Sequence, residues 1–137
     1  MNKPAEEVQE QYVALQILDH QIKQAQKQIM AIEEQVTELE SVMSAVAELA
    51  SQEASSEMFV PLSSGIFVKT TLKETKQVLV NVGANVLVKK EVAQTQELLQ
   101  AQMNELRDLQ QQIAEQVQKF ATEAQTVQEK VQSMMEK

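Results

Sequence analysis

The chain has 137 residues, with 12 Lys+Arg against 20 Asp+Glu and a formal net charge of −8. That balance excludes the clustered positive charge that nucleic-acid phosphates and anionic membrane surfaces demand of a partner. There is no cysteine and no tryptophan, with one tyrosine and three phenylalanines, so disulfide and thiol chemistry are excluded and the aromatic bulk of an ordinary globular core is missing.

The length fits one domain, residues 1–137. The N-terminal MNKPAEEVQEQ has no apolar run of signal-peptide length, and no run approaches the roughly 20 residues of a membrane span. With the absence of cysteine, this fits a cytoplasmic protein. Glutamine occurs 22 times, and with Ala, Glu, Lys and Leu it points to long solvated helices if periodicity supports them.

The first segment is periodic. With Val8 as heptad position a, the a positions are Val8, Leu15, Ile22, Ile29, Val36, Met43 and Ala50, all apolar. The d positions are Gln11, Leu18, Ala25, Ile32, Leu39 and Val46, of which only Gln11 is polar. Such a stripe is the signature of a coiled-coil helix, expected over 5–53, and Pro4 suits its first turn.

The middle changes period. Gly65, Gly83 and Pro61 all lie there. The run MFVPLSSGIFVKTTL holds two β-rich stretches around Ser63-Ser64-Gly65, and VLVNVGANVLVKK holds two more around Gly83-Ala84-Asn85. These read as hairpins over 58–72 and 77–90. Pro61 places its strand at an edge or a bulge.

The last segment returns to heptads: Leu99, Leu106, Ile113, Phe120, Val127 and Met134 recur every seven residues, and Met103, Val117, Ala124 and Val131 follow members of that series by four. The helix is expected over 92–135, with a small shift of seam at Leu109. Each helix has about 45 residues and so measures about 65–70 Å.

Two helices of equal length flanking a β segment pair antiparallel within one chain if both leave it on the same side. The alternative is a parallel homodimer of each helix. The strands carry apolar residues on both faces: Val78, Val80 and Val82 alternate with Leu79, and Val86 and Val88 with Leu87. Such strands require cover on two sides. A matching element of another subunit would cover them, making Val60, Leu62, Ile66, Val68, Val78, Val80, Val82, Val86 and Val88 an oligomer interface. The alternative is that the hairpins fold back on their own helices. The fold class is α+β: a long antiparallel intramolecular coiled coil with two central β-hairpins forming an oligomerisation platform.

The stretches Val60-Pro61-Leu62-Ser63-Ser64-Gly65-Ile66-Phe67-Val68-Lys69 and Val80-Asn81-Val82-Gly83-Ala84-Asn85-Val86-Leu87-Val88-Lys89-Lys90, set between two long helices, resemble the prefoldin family. Two hairpins match its alpha class of archaeal type, whereas the beta class has one. Ser63, Ser64 and Asn85 stand where that pattern commonly has Gly or Ala, and asparagine tolerates the positive φ such a turn requires. The resemblance implies an ATP-independent chaperone in which two alpha and four beta subunits join their β segments. Their coiled-coil tips then hold unfolded proteins and pass them to a group II chaperonin. No phosphate-cradling glycine loop is present, and no cofactor is expected.

Other sites are weak. His20 falls at solvent-facing position f and has no second histidine or cysteine to form a metal set, and Asp19-His20 has no nucleophile beside it. Glu33-Glu34 and Glu38 with Glu40 form a solvated face. Tyr12, Val13, Ile17 and Met30 are apolar yet outside the seam. Scattered exposed apolar residues are ordinary. A client-binding tip is the functional alternative, formed by Val8, Tyr12, Val13, Ile17, Val127, Val131, Met134 and Met135, with methionine suited to repacking on varied surfaces. A structural tethering protein and a filament-forming subunit without client transfer remain alternative functions.

Overall fold

The computed structural model describes the chain from Lys3 to Glu136. Helix α1 spans Lys3–Ser51 and helix α2 Val92–Met135; between them lie strands β1 (Glu57–Ser63), β2 (Ile66–Thr71), β3 (Gln77–Asn81) and β4 (Leu87–Glu91). Pro4 falls in the first turn of α1, but its side chain lies outside the described residues. The chain forms two compact units, one joining residues up to Val36 with those from Glu105 onward, the other spanning Thr37–Asn104.

In the first unit the start of α1 runs antiparallel to the end of α2. The Tyr12 hydroxyl reaches Met135 Sδ at 3.9 Å, while Glu33 meets Arg107 and Gln110. Leu18, Ala25 and Ile32 at d, and Val36 at a, are buried against a seam that includes buried Ile113 and Val131. Leu15, Ile22 and Ile29 on α1, and Leu106, Val117, Phe120 and Val127 on α2, are half-buried around them. This intramolecular pairing replaces the parallel-homodimer alternative.

The expected shift at Leu109 does not occur. Leu109 is exposed and Gln110 is half-buried in its place, which keeps the alternating three- and four-residue spacing that a coiled-coil seam needs. A glutamine is tolerated because its amide is satisfied: Gln110 Nε2 donates to Glu33 Oε2 at 2.7 Å and Oε1 accepts from Arg107 Nη1 at 3.0 Å. The Arg107–Glu33 pair, at 3.3 Å and half exposed, adds at most about 1 kcal/mol. Gln110→Leu is therefore expected to raise stability by about 1 kcal/mol, since a partly buried leucine outweighs a solvent-accessible hydrogen bond. Urea unfolding followed by helix ellipticity checks this, and a loss of stability would contradict the seam assignment.

In the second unit Leu39, Met43 and Val46 continue the α1 stripe half-buried, but Leu49 rather than the expected Ala50 ends it. On α2, Val92, Thr95 and Met103 are buried, and Thr95 satisfies its hydroxyl on the Glu91 carbonyl at 3.0 Å. Helix α1 ends two residues before the expected boundary. Ser51 Oγ bonds the Glu48 carbonyl at 2.7 Å, and a turn follows in which Ser55 takes φ +77°.

Each hairpin is its own two-stranded antiparallel sheet. In the first, Val60 pairs with Val68 and Met58 with Thr70, and the register slips between Pro61 and Ser63, a bulge where proline offers no N–H to the ladder. Reciprocal backbone bonds, Ser55 N to Leu72 O at 2.7 Å and Leu72 N to Ser56 O at 2.8 Å, extend it. Gly65 turns at φ +78°.

In the second hairpin Val80 pairs with Val88 and Asn81 with Leu87. The Val86 N–H closes a turn on the Gly83 carbonyl at 2.9 Å, and the Asn81 side chain accepts the Gly83 N–H at 2.9 Å. Ala84 and Asn85, the central residues, both have positive φ, +50° and +62°, the φ signature of a type I′ turn. Asn85 suits this, but alanine carries the Cβ penalty of a left-handed backbone, roughly 1–2 kcal/mol. Ala84→Gly removes it at an entropic cost of about 0.5–1 kcal/mol, so a net gain of about 0.5–1 kcal/mol is expected. Slower amide exchange at Val82 and Val86 would register it; faster exchange would contradict the turn geometry.

Candidate binding surfaces

Side-chain alternation divides each hairpin into two faces. On the second hairpin Val78, Val80 and Val88 share one face through the pairings Val78 with Lys90 and Val80 with Val88, and Val82 and Val86, bonded at 3.0 Å, continue it. On the first, Val60 and Val68 share a face with Met58 and Thr70, and Leu62 and Ile66 flank the bulge and the turn. Val60, Leu62, Ile66, Val68, Val82, Val86 and Val88 are all exposed, with Val78 and Val80 half-buried. Most of this set therefore stays open, with only Val78 and Val80 partly covered within the chain.

The interface set expected from the sequence takes only one face. Residues of the opposite faces are open too: Phe59 is 65%, Phe67 60%, Leu79 66% and Leu87 58% exposed, against a range from 36% for Val60 to 70% for Leu62 in the expected set. Phe59 and Phe67 lie on one side of the first hairpin with Pro61, and Lys69, opposite Phe59, pairs with Glu57 at 2.9 Å. The signal that finds them is apolar residues at consecutive strand positions, as in Phe59-Val60, Phe67-Val68, Val78-Leu79-Val80 and Leu87-Val88. A two-stranded sheet with apolar side chains on both faces is marginal alone in water, and exposed apolar residues gathered in this way mark an interaction surface.

The first unit carries a second apolar surface. Tyr12, Val13, Ile17 and Met135 are about half or more exposed, Val8, Val127 and Met134 are half-buried, and Val131 is a buried seam residue. Tyr12, Leu15, Val131 and Met135 line an open groove of about 530 Å³ with Gln128, Gln132 and Glu136. Val13 lies instead on a separate depression with Glu6, Gln9 and Glu10. Val8, Ile17, Val127 and Met134 line neither, and Met30, although exposed, belongs to neither. Leu15, Gln128, Gln132 and Glu136 join the groove without having been expected. On α2 the spacing 128, 131, 132, 135 is one helical face, which is the signal that marks it.

No comparable chemistry surrounds the polar residues. His20 is exposed and lies within hydrogen-bond distance of Gln24, at 3.3 Å, and Asp19 pairs with Lys23 in an exposed i,i+4 bridge of 2.9 Å. Among the described residues no group of three or more His, Cys, Asp or Glu could hold a metal ion. No described helix is long and apolar enough to cross a membrane.

Two long helices, antiparallel in the first unit and connected through two small hairpins whose apolar residues are largely exposed, define a coiled-coil subunit with surface left for other chains. The Prefoldin family model, for a prefoldin subunit, matches residues 18–137, and the chain belongs to the prefoldin family. Among similar proteins, the prefoldin subunit alpha of Methanococcus vannielii is 30% identical over 118 residues, covering 86% of this chain and 79% of that one. The prefoldin subunit alpha of Archaeoglobus fulgidus is 26% identical over 131 residues, 96% of each chain. The structure also resembles a chain of a filamentous prefoldin from Methanocaldococcus jannaschii, with a TM-score of 0.77 at 14% identity, covering 87% of this chain and 98% of that one.

Proposed function

We propose that the chain is an alpha-type subunit of an ATP-independent holdase. It captures unfolded proteins on the apolar residues where the start of α1 meets the end of α2, and delivers them to a group II chaperonin. The observation that carries this reading is the surplus of exposed apolar side chains, Tyr12, Val13, Ile17 and Met135, of which Tyr12 and Met135 line an open groove. Each partly buried contact is worth less than the roughly 1.5–3 kcal/mol of a fully buried side chain, so one tip binds weakly and releases readily, and several tips together supply avidity.

The open hairpin faces support assembly with beta-type subunits, two of this chain with four of the partner, in the cytoplasm. No nucleotide takes part and no reaction is catalysed. The complex should suppress aggregation of a chemically unfolded client in nucleotide-free buffer, as read by light scattering; strict dependence on ATP would contradict the reading. A filament-building subunit without client transfer is the second reading. It is favoured by the fold shared with a filamentous prefoldin and by hairpin edges open on both sides, and electron microscopy of the chain alone distinguishes it.

A further inference from the structure

The chain has no cysteine and seven methionines, so the methionine thioether is its only sulfur and the natural target of a two-electron oxidant. Among the described residues the methionines differ in access. Met30 is 68% and Met135 66% exposed, Met58 41% and Met103 only 8%, while Met43 and Met134 are half-buried. The two most exposed differ in setting. Met135 lines the apolar groove with Tyr12, Leu15 and Val131. Its Sδ accepts the Tyr12 hydroxyl at 3.9 Å, a weak bond because a thioether is a poor acceptor. Met30 lies five helical turns beyond Tyr12 on α1, roughly 27 Å at 1.5 Å per residue, and so outside the groove.

We propose that Met135 is a reversible oxidation site: a peroxide converts its thioether to the sulfoxide, and the modified groove loosens its hold on unfolded chain. The inference rests on the client-capture reading above and adds redox control of the same site. Hydrogen peroxide transfers one oxygen atom to Sδ, its O–O bond breaks and the other oxygen leaves as water. The sulfur is oxidised by two electrons and the peroxide reduced by two. Thiol-dependent sulfoxide reductases reverse the change. The sulfoxide is polar where the thioether was apolar, so a client side chain seated against it loses burial and displaces water from the new oxygen. That oxygen is also a better acceptor than sulfur for the Tyr12 hydroxyl already beside it, which draws both side chains into a polar pair. Oxidation of Met30, equally exposed, alters no residue of the groove and is the internal control.

The test treats the full chain with graded hydrogen peroxide and removes the excess. Tandem mass spectrometry then reads each methionine, and anisotropy reads binding of a fluorescent Leu-rich peptide. Met30 and Met135 are expected to oxidise ahead of Met43 and Met103, and affinity to fall about fivefold in step with Met135. Sulfoxide reductase with a thiol should restore it. Met30→Leu should lose affinity on treatment as the parent does, whereas Met135→Leu, whatever its starting affinity, should lose none. Full-strength binding by chain oxidised at Met135, an equal loss in Met135→Leu, or oxidation of Met135 no faster than Met103 overturns the proposal. Tyr12→Ser with Met135→Ser separates this from the underlying reading. If that pair weakens the untreated chain while oxidation of the parent does not, only redox control fails. If neither changes affinity, client capture at this groove fails as well, and the proposal with it.

Discussion

Val80→Asp combined with Val88→Asp is expected to abolish the higher oligomer while helix content remains high. The two residues pair across the second hairpin on a single face, with Val88 exposed and Val80 half-buried. A carboxylate buried there at a subunit contact costs on the order of 3 kcal/mol or more, so association should weaken by about a hundredfold or more. Because like charges directly opposite also strain the hairpin, the single Val80→Asp variant gives the same test without that repulsion. Leu79→Asp with Leu87→Asp, which are not paired with each other, probes the opposite and more exposed face. Native mass spectrometry with circular dichroism reads all three. An intact oligomer in the Val80/Val88 variant would refute assembly through that face, and sensitivity confined to Leu79 and Leu87 would move the interface to the other side.

The second large effect concerns client holding. Removing residues 1–14 together with 126–137 deletes Val8, Tyr12, Val13, Val127, Val131, Met134 and Met135. About 35 residues of each helix remain, more than the roughly 12–15 below which isolated helices are marginal, and the hairpins are untouched. Assembly should persist at proportionately lower mass, while protection of an unfolded client falls at least tenfold. The milder variant Tyr12→Ser, Val13→Ser, Met135→Ser removes exposed side chains and leaves the buried seam residues Leu18, Ala25, Ile113 and Val131 in place. It should weaken capture by about tenfold or more, since each contact contributes on the order of 1 kcal/mol. Undiminished protection by both variants would point to the hairpin faces as the client surface.

The heptad stripe of α1 is legible because every d position from Leu18 to Val46 is apolar and the structure buries or half-buries each of them. Its ends are less so: heptad arithmetic assigns Ala50 to the seam, but Leu49 is the residue that packs, a one-residue rotation where the helix stops. At Leu109 hydrophobicity misleads, because the seam position belongs to Gln110, whose amide finds Glu33 and Arg107; no pattern of apolar residues reports such a partner on the other helix. The hairpins are visible from Gly65, Gly83 and the β-branched runs, and Pro61 correctly marks a bulge. Phe59, Phe67, Leu79 and Leu87 lie outside the expected interface set, since a period of two describes which residues share a face without saying which face stays open. At the paired helix ends, exposure of Tyr12, Val13, Ile17 and Met135 follows from their register. The groove lined by Leu15, Gln128, Gln132 and Glu136 depends on how the two helices are aligned, which a single helical period does not contain.

The most direct measurement is native mass spectrometry of this chain co-expressed with a beta-type prefoldin subunit, incubated with an unfolded client in nucleotide-free buffer. The account predicts a species with the mass of two copies of this chain and four of the partner, and a second species heavier by one client, with the second lost in the Tyr12/Val13/Met135 serine variant. A chain that stays monomeric beside its partner, or an assembly that never carries client, would contradict it.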